Sequence, residues 1–336
     1  MIHSSKMGST GLGPRLLITG GAGFIGSNLV EYFLSKNYEV VCLDNLSTGK
    51  FQNIEPFLKL ENFTWIEGDI RDLDICAKAV SGCQFVLHQA ALGSVPRSIN
   101  DPIQTNSVNI SGFLNVLTAA RDAGVQRMVY AASSSTYGDS TALPKVEDQI
   151  GKPLSPYAVT KLVNELYADV FAKLYGMSVV GLRYFNVFGR RQDPAGAYAA
   201  VIPKFVLSFL KNEEIVINGN GDHSRDFTYI DNVLLANECA LHAEGDELNG
   251  QVFNVAYGAQ TSLNEMLDVM RNLFSERQGS FIPKAVVYGP ERVGDIPHSW
   301  ASIEKAKSLL NYKPSHDFKR GLEEAIDWYI ENYSQG

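Results

Sequence analysis

Tyr157 and Lys161 stand four residues apart, just inside a predicted helix that begins at Pro156. Side chains at this spacing lie on one face of a helix, one turn apart. An ammonium beside a phenol lowers the phenol pKa from about 10 and makes a phenolate base available near neutral pH. A Tyr and a Lys at this spacing also occur together by chance, in packing and solvent contacts. Their interpretation therefore depends on their position in the chain.

Three glycines, Gly20, Gly23 and Gly26, follow the apolar run 15–19 and open a stretch in which apolar residues recur at helical spacing. In such a loop the first glycine permits a tight turn, the second lets the backbone approach a pyrophosphate, and the third lets the helix lie close to the sheet. Asp44 ends the next strand-like run, where a carboxylate would bind ribose hydroxyls and repel a 2′-phosphate. The pattern predicts NAD binding and favours NAD over NADP; the alternative is a tight turn that only packs.

These residues fall in an alternation of strand-like and helical segments. Strands are predicted at 15–19, 39–43, 64–68, 85–88, 127–132 and 178–183, and helices at 24–34, 72–80, 103–123 and 156–175. The alternation predicts an α/β fold of the Rossmann type, a doubly wound parallel sheet with helices on both faces. After residue 189 the segments become shorter and the turns richer in Gly and Pro.

This change suggests three parts, of which residues 1–13 are a flexible lead-in. Residues 14–188 form an NAD-binding domain that carries the catalytic residues. Residues 189–336 form a smaller α/β lobe, which mainly binds the substrate and crosses back to the first domain. A cleft between the two lobes is the expected ligand site.

Composition excludes several classes of protein. The formal charge of −8 argues against a general nucleic-acid or membrane-surface role. The four cysteines, Cys42, Cys76, Cys83 and Cys239, have no C-x-x-C spacing, so free thiols are expected and neither a zinc site nor a disulfide framework. No apolar run approaches the roughly 20 residues that span a bilayer, and the first 14 residues lack a signal-like segment. A cytoplasmic protein without a bound metal is expected.

Gly-x-x-Gly-x-x-Gly followed by Tyr-x-x-x-Lys resembles the short-chain dehydrogenase/reductase superfamily, specifically its extended branch. The resemblance implies that Ser133 hydrogen-bonds the reacting hydroxyl, that Tyr157 is the base, and that Lys161, together with the positive nicotinamide ring, lowers the Tyr157 pKa. Ser134 would contact the substrate, whereas Ser135 is interpreted as a polar loop residue. Further cofactor contacts are implied at Phe24, Ile25, Asn45, Asp69, Ile70, Gln89, Ala90, Ala91 and Tyr184.

Four later segments resemble the UDP-N-acetylglucosamine (UDP-hexose) 4-epimerase family, in the order found there: Arg183-Tyr184-Phe-Asn186, Ser224-Arg225-Asp-Phe227, Tyr229-Ile-Asp-Asn232 and Arg292-Val-Gly-Asp295. The resemblance implies that Asn186 contacts the diphosphate of a UDP-sugar and that Arg225 and Arg292 clamp it. Two guanidinium groups suit this task because bidentate pairing fixes orientation as well as charge. Asp295 would also belong to the substrate site.

The residues after Ser133 bear on the reaction. In this branch the Tyr takes a proton from the sugar 4-hydroxyl while hydride leaves carbon 4 for the cofactor. A 4,6-dehydratase resembling its family would carry an Asp-Glu pair where this chain has Ser134 and Ser135, and hydroxyls cannot replace an acid/base pair. In an epimerase the 4-keto sugar turns over and takes the hydride back on its other face. The resemblance therefore favours an epimerase.

Ser299 stands where UDP-galactose epimerases restricted to non-acetylated sugars have a bulky Tyr. A small side chain there leaves room for a 2-acetamido group, unless Ser299 is an ordinary loop residue. Segments 89–98 and 189–203 resemble bacterial epimerases that prefer UDP-GlcNAc and UDP-GalNAc, which implies that Gly93 and Ser94 border the hexose and that Gln192 lies near the acetamido group. Reversible 4-epimerisation of UDP-GlcNAc and UDP-GalNAc is the resulting prediction.

Two alternatives stay open. A UDP-hexuronate (UDP-GlcNAcA or UDP-GlcA) 4-epimerase could use Arg97 to neutralise the carboxylate, although Arg97 could equally be a surface residue. A non-catalytic NAD-binding protein is less favoured, because it has no need of a general base. Dimers in the family form through two long helices of each subunit. The helices that begin near Ile103 and Pro156 are the candidates for a homodimer here.

Overall fold

The computed structural model describes residues 12–194, 200–278, 284–291 and 297–333. Its strands are β1 (Arg15–Thr19), β2 (Glu39–Asp44), β3 (Phe63–Glu67), β4 (Phe85–His88), β5 (Arg127–Ser133), β6 (Val179–Tyr184), β7 (Val187–Phe188), β8 (Glu214–Asn218), β9 (Ser224–Arg225), β10 (Thr228–Tyr229), β11 (Val252–Val255), β12 (Thr261–Ser262) and β13 (Ala285–Gly289). Its helices are α1 (Phe24–Ser35), α2 (Leu73–Val80), α3 (Val95–Asn100), α4 (Pro102–Asn106), α5 (Phe113–Asp122), α6 (Pro156–Tyr175), α7 (Val201–Leu210), α8 (Ile230–His242), α9 (Leu263–Gln278), α10 (Glu304–Leu310) and α11 (Phe318–Tyr333).

Seven strands form one parallel sheet in the order β11-β6-β5-β4-β1-β2-β3. Because both faces of such a sheet are covered, its strands are continuous apolar runs rather than alternating ones. In β1 the residues from Leu16 to Thr19 are at most 1% exposed. The predicted doubly wound parallel sheet is confirmed. Its strand order reverses between β1 and β4, which leaves a crevice at the carboxyl ends of the strands.

The predicted elements agree with the structure to within one residue at most ends. The helix expected over 103–123 differs in its hydrogen bonding. A π-helical turn, Ser107–Gly112, separates α4 from α5. The wider turn coincides with Asn109, whose carboxamide leaves the helix to bond the backbone N–H and C=O of Leu92 at 2.8 and 3.2 Å and the hydroxyl of Thr160 at 3.2 Å. Such turns frequently occur at functional sites. The predicted long helix is therefore present over 102–122, with a π-helical turn in its middle.

In the second half of the chain, the described residues form short strand pairs and five helices. Strands β7 and β10, and β8 and β13, pair in parallel, whereas β9 and β12 pair antiparallel. Strand β11 lies in the large sheet beside β6. One cluster of buried side chains extends from Leu16 in β1 to Phe209 in α7 and Leu273 in α9. The two halves therefore share a core, and the division at residue 188 stays a prediction.

A second apolar cluster lies on the other face of the sheet, under α2, α5 and α6. Helices thus cover both faces, as a doubly wound sheet requires. Within the described ranges, no helix combines the length and apolar character needed to cross a bilayer.

Candidate active site

A cleft of about 540 Å³ lies at the carboxyl ends of β1, β2, β4 and β5. The predicted cofactor residues that line it are Gly20, Gly23, Phe24, Ile25, Gly26, Asp44, Asn45, Ile70, Gln89, Ala90, Ala91, Tyr157, Lys161 and Tyr184. The predicted substrate residues that line it are Gly93, Ser133, Ser134 and Asn186. Residues far apart in the chain are therefore brought to a single cavity.

The glycine loop fits closely against its surroundings. Gly20 has φ of 69°, and a Cβ there would lie 2.6 Å from the backbone nitrogen of Ala90. A Cβ on Gly26 would lie 2.0 Å from the carbonyl oxygen of Gly20. Gly23 is the N-cap of α1 and supplies no side-chain cap. Its backbone and the first turn of α1 thus face the cleft, as binding of a pyrophosphate requires.

Asp44 closes the adjacent end of the cleft. Its carboxylate accepts hydrogen bonds from the backbone N–H groups of Ala22, at 3.0 Å, and Leu46, at 2.8 Å. Burial raises its pKa, and these backbone hydrogen bonds oppose the rise. A carboxylate oxygen can accept two hydrogen bonds, so Asp44 retains acceptor capacity for a ribose.

Asp69, the neighbouring carboxylate, does not line the cleft. It pairs with Arg71 at 2.7 Å and accepts a hydrogen bond from Asn45 at 2.8 Å. The hydrogen bond from Arg71 lowers the pKa of Asp69 to about 2. The flanking residues Gly68 and Ile70 do line the cleft, and a direct cofactor contact of Asp69 stays a prediction.

Ser133, Tyr157 and Lys161 meet at the centre of the cleft. Ser133 is the last residue of β5, and Tyr157 and Lys161 lie in the first two turns of α6. The α6 N-terminus is fixed by Ser155, whose hydroxyl accepts a hydrogen bond from the Ala158 N–H at 3.1 Å. The Ser133 hydroxyl lies close enough to the Tyr157 phenol to lower its pKa. The structure thus brings the three predicted catalytic residues together.

The effect expected of Lys161 and a positive nicotinamide ring together on the Tyr157 pKa stays a prediction. Among the residues of the chain, burial raises the pKa of Tyr157, and Ser133 opposes this rise. Burial also lowers the pKa of Lys161 to about 8, and its nitrogen lies 5.9 Å from the Tyr157 ring centroid. With this pKa, Lys161 is still mostly protonated at neutral pH.

Two polar residues below this group were not singled out from the sequence. His88, at the end of β4, bonds the Thr19 hydroxyl through Nδ1 at 2.8 Å. Burial, with the nearby charge of Lys161, lowers the His88 pKa to about 3, so the imidazole is neutral. Asn109, described above, joins the loop after β4 to α6. No local sequence pattern indicates Asn109. His88 could have been singled out, because it is a polar residue at the end of a buried apolar strand.

Ser134 and Ser135 begin a short 3-10 turn that ends at Tyr137. Ser134 lines the cleft. The Ser135 hydroxyl is buried and has no hydrogen-bond partner among the described residues. The Ser133 side chain caps the turn, because its hydroxyl accepts a hydrogen bond from the Ser135 N–H at 3.1 Å. The turn has the sequence Ser-Ser-Thr-Tyr, so it places no carboxylate after Ser133.

Of the predicted diphosphate residues, Asn186 lines the cleft, and its side chain contacts the segment that contains Arg225. The Asn186 carboxamide donates to the Asp226 carbonyl oxygen at 3.1 Å. The Arg225 guanidinium donates to the carbonyl oxygens of Ser224 and Pro297 at 2.9 and 3.1 Å. The Ser299 N–H donates to the Ser224 carbonyl at 3.1 Å, so Ser299 is adjacent to Arg225. Neither Arg225 nor Ser299 lines the cleft itself.

The remaining predicted substrate residues differ in position. The Ser94 hydroxyl accepts a hydrogen bond from the Arg97 N–H at 3.1 Å and caps α3, so it points into its own helix. The Gln192 side chain donates to the Val187 carbonyl at 3.0 Å, which leaves its buried amide oxygen without a partner among the described residues. Neither residue lines the cleft. Arg292 and Asp295 lie outside the described residues, and the substrate roles of all four stay predictions.

The model of the NAD dependent epimerase/dehydratase family matches residues 16–256. The chain belongs to this family. It is 33% identical over 323 residues to a UDP-glucose 4-epimerase of Mycolicibacterium smegmatis, covering 96% of this chain and all of the relative. It is 32% identical over 325 residues to a UDP-glucuronate 4-epimerase of Thermodesulfobacterium geofontis, covering 94% and 96%.

Among solved structures, this epimerase/dehydratase chain is similar to a UDP-N-acetylglucosamine 4-epimerase from Methanobrevibacter ruminantium M1, determined in complex with UDP-N-acetylmuramic acid. The TM-score is 0.88 at 37% identity, over 95% of this chain and 99% of the other. The resemblance to the extended branch of the superfamily is confirmed, and the cofactor is NAD. The uncapped start of α1 and the carboxylate of Asp44 fit the pyrophosphate and the adenosine ribose of NAD.

Proposed function

We propose that the chain catalyses the reversible, NAD-dependent 4-epimerisation of UDP-GlcNAc and UDP-GalNAc through a 4-keto intermediate. The observation that carries the proposal is that Ser133, Tyr157 and Lys161 all line the cleft. The two residues after Ser133 are serines and carry hydroxyl groups only. This set of groups can move a proton at a sugar hydroxyl. It offers no acid/base pair for eliminating water, which favours epimerisation over dehydration.

The residues of the chain have separate tasks in this reaction. Tyr157, as a phenolate, accepts the proton of the sugar 4-hydroxyl and later returns it. Ser133 hydrogen-bonds the same hydroxyl and orients it. Lys161, held by the Ala131 carbonyl at 2.7 Å, places a positive charge beneath the phenol when it is protonated. NAD, when bound, supplies the site that accepts hydride from carbon 4 and gives it back.

Inversion requires the keto sugar to present its other face while the nucleotide stays in place. Asn186 and Arg225 are our candidates for holding the diphosphate as the sugar turns. The Asn186 side chain donates to the backbone of Asp226, and the Arg225 side chain donates to the backbone of Ser224 and Pro297. A guanidinium pre-oriented in this way loses little side-chain entropy when it binds a phosphate.

The acetamido preference rests on Ser299. Its backbone is paired with Ser224, beside the proposed diphosphate ligand Arg225. A hydroxymethyl group leaves space there for a 2-acetamido substituent. The similarity to the M. ruminantium UDP-N-acetylglucosamine 4-epimerase supports this choice.

Proton NMR of the purified protein, without added NAD, tests the proposal. UDP-GlcNAc and UDP-Glc are incubated separately, and the 4-epimers are followed. We expect conversion of UDP-GlcNAc well ahead of UDP-Glc. Ser299→Tyr should remove most of the conversion of UDP-GlcNAc and spare that of UDP-Glc, with Ser308→Tyr as an exposed control. Equal rates with both sugars in the wild type would remove the proposed preference.

A UDP-hexuronate epimerase is the second candidate, and Arg97 is the observation that favours it. Arg97 lies in α3, which begins two residues after the cleft residue Gly93. The similarity to the T. geofontis UDP-glucuronate 4-epimerase supports the same reading. Arg97→Met should slow UDP-GlcA turnover and leave that of UDP-GlcNAc unchanged if Arg97 receives a carboxylate.

We further propose a homodimer formed through α4 and α6. Ile103 in α4 is 82% exposed, and Leu166 and Leu174 in α6 are 58% and 71% exposed. On α6, Leu166 and Leu174 form an apolar stripe at helical spacing together with Val159 and Val170. Two such helices from each subunit can pack as a four-helix bundle.

A further inference from the structure

Asp226 follows the proposed diphosphate ligand Arg225 and is fully buried. Its carboxylate accepts hydrogen bonds from backbone N–H groups of two other segments. One oxygen bonds Tyr257 at 3.2 Å and Gly258 at 3.3 Å, and the other bonds Gly258 at 3.2 Å and Ala301 at 3.3 Å. A positive φ of 89° at Gly258 turns its N–H toward the carboxylate. Such paired N–H groups form a preorganised anion site within the protein.

These bonds join three segments at one point. The first contains Arg225 and continues into β10, the second is the loop after β11, and the third contains Ser299. The Asp226 carbonyl also receives the Asn186 carboxamide. Trp300 adds a second link, because its indole N–H donates to the Gly258 carbonyl at 3.0 Å. The backbones of the Arg225 and Ser299 segments and the side chain of Asn186 are therefore connected through Asp226.

A separate network fixes the Ser299 segment to the catalytic side. Asn254 donates to the carbonyl oxygens of Lys145 and Ser302 and accepts a hydrogen bond from the Tyr137 hydroxyl at 2.7 Å. Tyr137 ends the turn that starts after Ser133. The Ser299 segment is thus anchored once to the catalytic turn, by Asn254, and once to the diphosphate side, by Asp226.

We propose that Asp226 is a positioning residue that holds Arg225, Asn186 and the Ser299 segment in the arrangement that binds the diphosphate of the substrate. This inference rests on the proposed function. A carboxylate fits this place because both of its oxygens accept hydrogen bonds, and these bonds oppose the rise of its pKa, to about 7, that burial causes. An amide would turn an NH₂ group toward the N–H of Gly258 or Ala301 and leave a buried donor unpaired.

The test is calorimetric binding of UDP to the NAD-loaded protein and to Asp226→Asn. We expect the Kd of the variant to rise about tenfold or more, the effect of leaving one or two buried donors unpaired. Its NAD content should match that of the wild type, because the NAD site is built on β1, β2 and α1. An unchanged Kd in folded Asp226→Asn would overturn the proposal.

Asn232→Ala is the matched control for a purely structural effect. Asn232 is also fully buried, and its oxygen also accepts backbone N–H groups of a distant segment, from Ser315 and His316. We expect Asn232→Ala to lower the Tm and to keep the Kd for UDP. An equal loss of affinity in this control would show that any destabilisation weakens UDP binding, and would overturn the assignment to Asp226.

Trp300→Phe keeps the test decisive if Asp226→Asn does not fold. It removes the hydrogen bond from the indole N–H to the Gly258 carbonyl and keeps an aromatic ring at this position. We expect about threefold weaker UDP binding with NAD content unchanged, and an unchanged Kd would contradict the inference. Wild-type turnover separates this result from the proposed function. A protein that binds UDP through Asp226 but does not epimerise UDP-GlcNAc would refute the proposed function alone.

Discussion

The side-chain nitrogen of Lys161 donates a hydrogen bond to the carbonyl oxygen of Ala131 at 2.7 Å. This bond ties α6 to β5 two residues before Ser133. It fixes the lysine beneath the cleft independently of any ligand. The three proposed catalytic residues therefore form a preassembled group, and two predictions follow from its geometry.

Tyr157→Phe should lower kcat by at least about 100-fold, since general acid–base catalysis contributes 10²- to 10⁴-fold. The NAD content should not change, because the phenyl ring still fills the same space. Turnover of UDP-GlcNAc by NMR and absorbance of released NAD measure the two effects. Tyr175→Phe, at the exposed end of the same helix, is the control. Unchanged turnover in Tyr157→Phe would refute the mechanism.

The lowered pKa of Lys161 predicts a dependence of stability on pH. Its folded-state pKa of about 8 lies below the ordinary value of 10.5. Between these values the unfolded chain binds more protons, so this group makes the folded protein more stable as pH rises from about 8 to 10.5. The gain is lost again as pH falls from 10.5 to about 8, and below 8 this group adds no further dependence on pH.

Urea unfolding of NAD-free wild type and Lys161→Met checks this prediction. The wild type should gain stability relative to the variant over that pH window, by the order of 3 kcal/mol. The comparison with the variant removes the contributions of other groups. Parallel curves for the two proteins would contradict the lowered pKa.

Gly26→Ala should release NAD, because the new Cβ would lie 2.0 Å from the Gly20 carbonyl oxygen and must push the loop away from α1. The expected result is loss of most of the bound NAD after gel filtration, together with loss of activity. Gly289→Ala is a suitable control, since its Cβ would meet no atom closer than 3.7 Å. Full NAD retention in Gly26→Ala would show that the loop tolerates this displacement.

Leu166→Glu should convert the proposed homodimer into a monomer. A charge in the apolar stripe of α6 would be buried without a partner in a four-helix bundle. Light scattering after size-exclusion chromatography measures the mass. Val216→Glu, which changes an exposed valine of β8, should leave the mass unchanged. A wild type that is itself monomeric would contradict the proposal directly.

Local patterns predicted the large sheet well, because strands such as β1 and β4 are short apolar runs between clear turn and helix signals. They failed at Asn109, where a side chain bonds Leu92 and Thr160 and widens the helix. Contacts of that kind depend on segments 17 and 51 residues away. The raised pKa of Tyr157 could not be predicted either, since its first cause is burial and burial is a property of the folded chain.

The candidate site divides in the same way. The glycine loop, Asp44 and the Tyr157–Lys161 pair were predictable because each belongs to a short motif. The role of Asp226 was not, because its partners Gly258 and Ala301 come from segments with no motif of their own. Distances in sequence of 32 and 75 residues separate them from the carboxylate.

Strand β11 completes the large sheet only with residues 252–255, which pair with β6. During synthesis, the edge of β6 therefore stays unpaired until more than seventy further residues have been added to the chain after Tyr184. An exposed strand edge is a site of wrong pairing and aggregation. The nascent chain should accordingly depend on chaperones over this interval, and a fragment ending at residue 188 should be insoluble even though it contains every residue of the proposed catalytic group.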